Sequence, residues 1–334
     1  MSRSVSATEP PESATASLGP PADRGFRWPA EWEPHEATWL AWPHNPETWP
    51  GCLDRAVDEF AGLVRVLHGR ETVRILVDDE AMEESARRRL GAAGIDVDRG
   101  VGFPHVQTND AWLRDSGPIT LVRDADGQRQ RLAVDFRFDS WGGKYPPWSL
   151  DAAVPRRVAK RQGVELADAG FVLEGGSVDG NGCGAVLTTE SCLLHPNREA
   201  GRSRELMERR LREWLGVTHV LWLSAGLAGD DTDGHVDDVA RFVAPRTVVA
   251  AVADPGDTAN EAPLSENRRR LRDLRDQDGA PLTVIDLPVP PPRSVAGARC
   301  PASYANFYLA NGVALVPTFS ALSDERALSI FREV

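Results

Sequence analysis

Apolar residues recur at helical spacing in four stretches. In LDRAVDEFAGLVRVLHGR, Leu53, Val57, Phe60, Val64 and Leu67 follow the i, i+3, i+4 rule of a half-buried helix. SRELMERRLREWLG repeats the pattern with Leu206, Leu211, Trp214 and Leu215, and Gly216 marks its end. Residues 79–93 give another helix, and LSENRRRLRDLRD one with a thin apolar stripe that predicts a surface position. Between them lie short apolar runs bounded by turn residues: TWLAW, TVRILVD, ITLV, RLAVDF, AVLTT, HVLWL, TVVAAV, LTVIDL and GVALVPTF. These read as strands. DGNGCGAVLTT reads as a tight hairpin turning at Asp179-Gly180. Helices alternating with strands, some of them hairpins, predict an α/β fold with mixed sheets.

A polar cluster precedes or opens several of these strands. NDAWLRDSGP surrounds Asp115, LEGGSVDGNG begins at Glu174, DTDGHVDD centres on His235 and PASYANFYLAN contains Asn306. The intervals are 59, 61 and 71 residues. EWEPHEATWLAWP stands where a first member of the series would fall. Five units of this length fill residues 25–334, which predicts a repeated architecture even though the units share little sequence.

Composition narrows the functional classes. Of 334 residues, 41% are apolar, enough for a sizeable core, and the formal charge is −12. That balance argues against a nucleic-acid partner and suits a cationic ligand. No apolar run is long enough to span a membrane. The first 25 residues, rich in Pro, Ser, Ala and Glu, read as a disordered tail with no secretory signal, leaving 26–334 as one domain. Four cysteines (Cys52, Cys183, Cys192 and Cys300) form no CxxC pair, so reduced thiols in a cytoplasm are expected. Cys192 lies in an apolar run and reads as core.

The polar clusters carry the candidate chemistry. In DDTDGHVDD, Asp231, Asp233, His235 and Asp237 are two residues apart, and an extended chain would set them on one face. Asp and His at that spacing can ligate manganese or zinc. They can equally serve as an acid–base histidine flanked by carboxylates that grip a cation. Glu174, after three apolar residues and before Gly-Gly, suits a carboxylate that meets a ligand closely, or a simple glycine bulge. NDAWLRDSGP reads as a turn with local aspartate acceptors or as a ligand-binding loop. Trp141, followed by two glycines, walls a pocket or fills core. No glycine-rich phosphate loop occurs.

Seven segments in order, PAEWEPHEATWLAWPHNPETWPG, NDAWLRDSGP, DFRFDSWGGKY, LEGGSVDGNG, TTESCLLHPNRE, DDTDGHVDD and PASYANFYLANG, resemble the agmatine deiminase family, of the bacterial peptidyl-arginine deiminase type. The resemblance runs from about residue 27 to the end. It implies a five-bladed α/β propeller of ββαβ units. It also implies hydrolysis of agmatine to N-carbamoylputrescine and ammonia, a step of putrescine biosynthesis, in the cytoplasm and without metal or other cofactor. In the family a cysteine thiolate attacks the guanidinium carbon, ammonia leaves, and water resolves a thiouronium intermediate. By motif match Asp115 and Asp237 hold the guanidinium nitrogens, Glu174 also contacts them, and His235 moves the protons. Trp112 and Trp141 line the pocket, and Thr232 meets the far end of the substrate. A homodimer is expected, and neither nucleic acid nor membrane.

One family feature has no counterpart. The nucleophile follows a Gly-rich string like GGGN-x-HC beyond the PASYANFY element, whereas this chain ends at SDERALSIFREV, a helix expected to start after Ser323. The expectation is an incomplete last unit, by truncation or by true loss. True loss would leave a catalytically dead guanidine-binding homologue. A metal-dependent guanidino hydrolase using the DDTDGHVDD acids is the other alternative.

Overall fold

The structure, a computed structural model, describes residues 19–295 and 297–334. Of the expected tail, positions 1–18 lie outside the described residues. Positions 19–25 are folded: Pro21–Arg24 form one tight turn, Gly25 closes it at φ +76°, and Phe26 enters the core.

Three strands, β1 (Ala37–Ala41), β2 (Thr72–Leu76) and β3 (Val101–Gly102), make a parallel sheet. The helix Leu53–Leu67 crosses between β1 and β2, and Val57, Ala61, Val64 and Leu67 are its buried face. Complete burial of Val64 and Leu67 contributes about 1.5–3 kcal/mol each. The helix Glu80–Ala92 follows, capped by the Asp79 carboxylate, which accepts from Met82 N–H.

The next three sheets share one order: an antiparallel hairpin, a helix, then a strand parallel to the second hairpin strand. The first is β4 (Ile119–Ala125), β5 (Gln128–Arg137), the helix Val154–Gln162 and β6 (Glu165–Val172). The second is β7 (Val178–Gly180), β8 (Ala185–Thr189), the helix Arg204–Leu215 and β9 (His219–Leu223). The third is β10 (Ala240–Ala244), β11 (Thr247–Val252), the helix Thr258–Asp273 and β12 (Thr283–Pro288). A small hairpin, β13 (Arg293–Val295) with β14 (Ala298–Cys300), precedes a last one, β15 (Tyr308–Ala310) with β16 (Val313–Leu315). The helix Ala321–Glu333 follows it.

Five apolar clusters join these units in series. Leu121 and Leu132 pack with Val186 and Trp222, and Leu187 and Leu221 pack with Phe242 and Val248. Val249 and Leu287 meet Tyr304 and Phe307, with Phe331 beside them. Tyr308, Ala310 and Leu315 lean on the cluster of Val73 and Ile75. Leu76 and Ala41 return to Val154 and Val158.

Several sequence expectations change. The hairpin of β7 and β8 turns through 181–184, not at Asp179-Gly180. Asp179 lies within β7 and is buried, because its carboxylate accepts from Arg241 Nε (2.5 Å) and from Phe242 N–H (2.7 Å). The helix Val154–Gln162 went unread because Pro155, Arg156 and Arg157 mask its apolar stripe. The last helix starts at Ala321, two residues before Ser323, because Asp324 turns back to accept from Phe319 and Ser320 N–H. The helix Thr258–Asp273 is less superficial than its thin stripe predicts, since Asn260 and Asn267 are buried along with Leu264 and Leu271.

Candidate active site

The loops that enter the β4, β7 and β10 hairpins bring candidate residues to a common place. Asp115 lies in the single turn Leu113–Ser116 before β4. Behind it, Asn109 and Asp151 brace the loop: Asn109 N–H donates to Asp151 Oδ1 (2.7 Å), and Leu150 N–H donates to Asn109 Oδ1 (2.8 Å). Glu174 stands between β6 and the tight turn Gly175–Ser177 that leads into β7. His235 and Asp237 precede β10.

The segment around His235 is a compact loop, not an extended line. Asp233 takes φ +69°, and Val236–Asp238 form a tight turn, so the four acidic and imidazole side chains do not share one face. Asp230 organises the loop by accepting from Thr232 and His235 N–H. Asn267 and Asn260, on the helix Thr258–Asp273, accept from Ser224 N–H (2.7 Å) and Ala228 N–H (2.8 Å). That explains why two asparagines occupy its buried face.

Asp115, His235 and Asp237 converge on Gly176. His235 Nδ1 is 3.7 Å from Asp115 Oδ1 and 3.9 Å from Asp237 Oδ1. Gly176 N–H donates to Asp115 Oδ1 (2.8 Å), and Trp141 Nε1–H donates to Asp115 Oδ2 (3.2 Å). A Cβ on Gly176 would lie 2.5 Å from His235 Nδ1, 2.7 Å from Asp115 and 2.8 Å from Asp237. Gly175 is equally constrained, since its Cβ would sit 2.0 Å from the Arg114 carbonyl oxygen. The Gly-Gly pair therefore lets the backbone pass between these groups.

The electrostatics are unbalanced. Burial pushes the Asp237 carboxyl up to about 6 despite His235, and nearby Asp115 pushes it the same way. Burial and then Asp237 raise Asp238 well above the carboxylate range. Burial opposes charge on His235, but the Asp115 carboxylate, the Cys192 thiol and Asp237 outweigh it and raise the imidazole well above its ordinary value. A buried group of carboxylates around one imidazolium still attracts a further cation.

A second cluster adjoins the first. Arg198 and Glu174 have fully buried side chains, and Arg198 Nε donates to Glu174 Oε1 at 2.8 Å. The same guanidinium reaches Asp233 Oδ2 and the carbonyl oxygens of Thr232 (2.7 Å) and Trp141 (3.4 Å). Asp233 also accepts from Lys144 Nζ (2.7 Å) and Asn197 Nδ2 (2.9 Å). Burial would raise its pKa, but these donors lower it to about 2. Asp231 is exposed and bonded to Tyr145. Asp231 and Asp233 are thus committed elsewhere and do not form a metal cage with His235 and Asp237.

Sequence reasoning missed several residues here. Cys192 is core, as expected, but it lies in the turn Glu190–Leu193 beside the site, and its sulfur, Glu174 and His235 gather at one point. Arg198 comes from the same TTESCLLHPNRE segment, where its sequence context resembles that of a surface charge. Trp141 is buried and bonded to Asp115. Trp112 is 41% exposed and stacks on Trp49 with ring centroids 5.7 Å apart. Thr232 spends its hydroxyl on Asp230 (2.6 Å) and on His235 N–H (3.2 Å), so it shapes the loop.

Comparison with known proteins identifies the family. The family model for the Porphyromonas-type peptidyl-arginine deiminase matches residues 27–334. An agmatine deiminase of Ectopseudomonas mendocina is 35% identical, covering 96% of this chain and 90% of that protein. The solved agmatine deiminase of Enterococcus faecalis superposes with a TM-score of 0.84 at 31% identity, over 94% of this chain and 90% of that one. A C. jejuni agmatine deiminase, solved as a cysteine-to-serine variant with substrate bound, gives 0.80 at 29%, over 91% and 86%. The chain belongs to the Porphyromonas-type peptidyl-arginine deiminase family.

Proposed function

We propose that the protein hydrolyses agmatine to N-carbamoylputrescine and ammonia. The observation that carries this reading is the convergence of Asp115, His235 and Asp237 on the bare backbone of Gly176. A guanidinium presents five N–H donors in a planar fork, which carboxylates accept in pairs. In this reading Asp115 and Asp237 fix the plane of the substrate, while Trp141 steadies Asp115 and lines one wall. Glu174 offers Oε2, since Arg198 occupies Oε1. Trp112 and Thr232 act further out, at the rim and on the loop.

The reaction needs a thiolate. It adds to the guanidinium carbon, and the imidazolium of His235 gives its proton to the departing ammonia. Neutral His235 then takes a proton from water, which attacks the thiouronium carbon. The tetrahedral adduct collapses to the ureido product and returns the thiolate. The raised pKa of His235 suits the first transfer. Cys192 is a poor nucleophile, because burial raises its thiol. None of Cys52, Cys183, Cys192 and Cys300 is given the attack in this reading. The fold reading that accompanies this is a five-bladed propeller, supported by the three sheets of one order and the serial packing of the five clusters. A cytoplasmic homodimer rests on the resemblance alone.

Ammonia release from agmatine, measured on this chain beside the reading frame extended to its next stop codon, tests the proposal. Turnover by the extended chain supports it. If neither turns over while agmatine binds by calorimetry, the protein is a guanidine-binding relative without the reaction. Turnover by the 334-residue chain overturns the exclusion of its four cysteines.

A further inference from the structure

We propose that Glu174, Cys192 and His235 form a site for one thiophilic divalent cation, zinc foremost, and that its occupancy shuts the enzyme off. One donor atom from each residue lies within 4.8 Å of the others, and all three side chains are buried. Among the described residues this is the one such group of metal-capable side chains. The buried Glu174 Oε2 has no hydrogen-bond partner, and the His235 imidazole has only the Cys192 thiol on this side. Buried polar atoms are rarely left so.

The donor set defines the cation. Thiolate, imidazole and carboxylate are all zinc ligands, at about 2.0–2.3 Å from the metal, so their mutual distances in a tetrahedral site are roughly 3.3–3.8 Å. Small rotations about side-chain bonds would close the present spacing. Sulfur disfavours magnesium and calcium, which prefer all-oxygen shells. Charge also balances. On binding, the Cys192 thiol loses its proton to solvent, as does a protonated His235, and the thiolate and carboxylate together offset the two positive charges.

Supporting contacts already hold the ligands. Arg198 Nε fixes Glu174 Oε1 at 2.8 Å and leaves Oε2 free. Cys192 N–H donates to Thr189 Oγ1 at 3.2 Å, anchoring the turn that carries the thiol. His235 Nδ1 faces Asp115, which orients the ring. Such outer contacts are what a metal ligand needs to keep its aim. Three protein ligands leave a fourth position for water. This site differs from the DDTDGHVDD acids, since it takes only His235 from that loop.

The inhibitory half rests on the deiminase reading, because it assumes that His235 carries protons and Glu174 meets the guanidinium. The binding half does not. The first experiment is therefore a titration of the whole purified protein with cobalt, read by the near-ultraviolet thiolate-to-metal absorption and reversed with zinc. One equivalent is expected. The band should vanish in Cys192→Ser and persist when Cys52, Cys183 and Cys300 are replaced together. A band that survives Cys192→Ser, or is lost with the other three, overturns the site. Should Cys192→Ser fail to fold, Glu174→Gln carries the same question. Its zinc affinity, measured against a chromophoric chelator, should drop at least tenfold, and an unchanged affinity overturns the site. Zinc at one equivalent should then cut ammonia release at least tenfold, and a chelator should restore it. Stoichiometric binding without inhibition overturns the shut-off, and absent binding in an active enzyme overturns the site while leaving the deiminase reading intact.

Discussion

Glu174 and Asp233 hold a guanidinium that the chain itself supplies, whereas Asp115 and Asp237 hold none. Around Arg198 every donor is directed: Nε to Glu174, Nη1 to Asp233, Nη2 to the Thr232 carbonyl. The Asp115–Asp237 pair has, among the described residues, no arginine or lysine within ion-pair distance, only His235. Asp233 accordingly titrates at about 2, and Asp237 at about 6. The same chemistry is satisfied in one cluster and left open in the other. The filled cluster is a structural joint between the Glu174 strand end, the Trp141 turn and the His235 loop, and the open one is the pair proposed to hold a guanidinium from outside.

The comparison breaks first at Arg198. Replacing it by methionine leaves Glu174 as a buried charge without its partner, which costs about 3–5 kcal/mol, while Asp233 keeps Lys144 and Asn197. Urea unfolding should show that loss. Asp237→Asn should do the opposite: stability holds or rises, because a strained charge is removed, while kcat/KM for agmatine falls about 100- to 1,000-fold. If the arginine variant unfolds like the parent and the asparagine variant is the fragile one, the assignment of joint and open site is reversed.

How much of this was legible beforehand divides along the same line. The strands, the helices Leu53–Leu67 and Arg204–Leu215 and the period of the polar clusters follow from apolar spacing and turn residues, which act locally. Asp115, Glu174, His235 and Asp237 stand in polar clusters that are conspicuous beside glycines, but the roles expected of them follow from the family resemblance and not from spacing. Arg198 and Cys192 were not assigned, since one resembles a surface charge in HPNRE and the other an ordinary core residue. Only the fold shows that both are fully buried against Glu174. The extended reading of DTDGHVDD failed because Asp230 and the buried Asn260 and Asn267 bend that loop from another part of the chain. Burial at a distance is what single-chain patterns do not encode.

The pH response should also separate the clusters. Asp237 binds a proton in the folded, unliganded protein between its ordinary value of 3.8 and about 6. Stability of the free protein from this group therefore falls as pH rises through that window. Asp233 behaves in reverse, its contribution being present above 3.8 and lost as pH falls toward about 2. For the ligand the sign follows charge. Below pH 6, agmatine must compete with the proton on Asp237, so affinity should decline by up to about tenfold per unit. Calorimetry from pH 5 to 7 checks this, and in Asp237→Asn the slope should disappear.

The smallest expected effect tests whether Trp141 serves the open cluster or merely fills space. Its Nε1–H bonds Asp115 Oδ2 at 3.2 Å, and its ring packs edge-on against Phe138 and Tyr145. Trp141→Phe keeps much of the packing and deletes the donor, a loss of about 1 kcal/mol. A structural role alone would lower the unfolding midpoint and leave KM unchanged. A role in aiming Asp115 would raise KM about fivefold, the rate equivalent of that energy, with little change in stability. The second outcome is expected, because a carboxylate relieved of one fixed donor is free to turn away from the plane in which it meets the substrate.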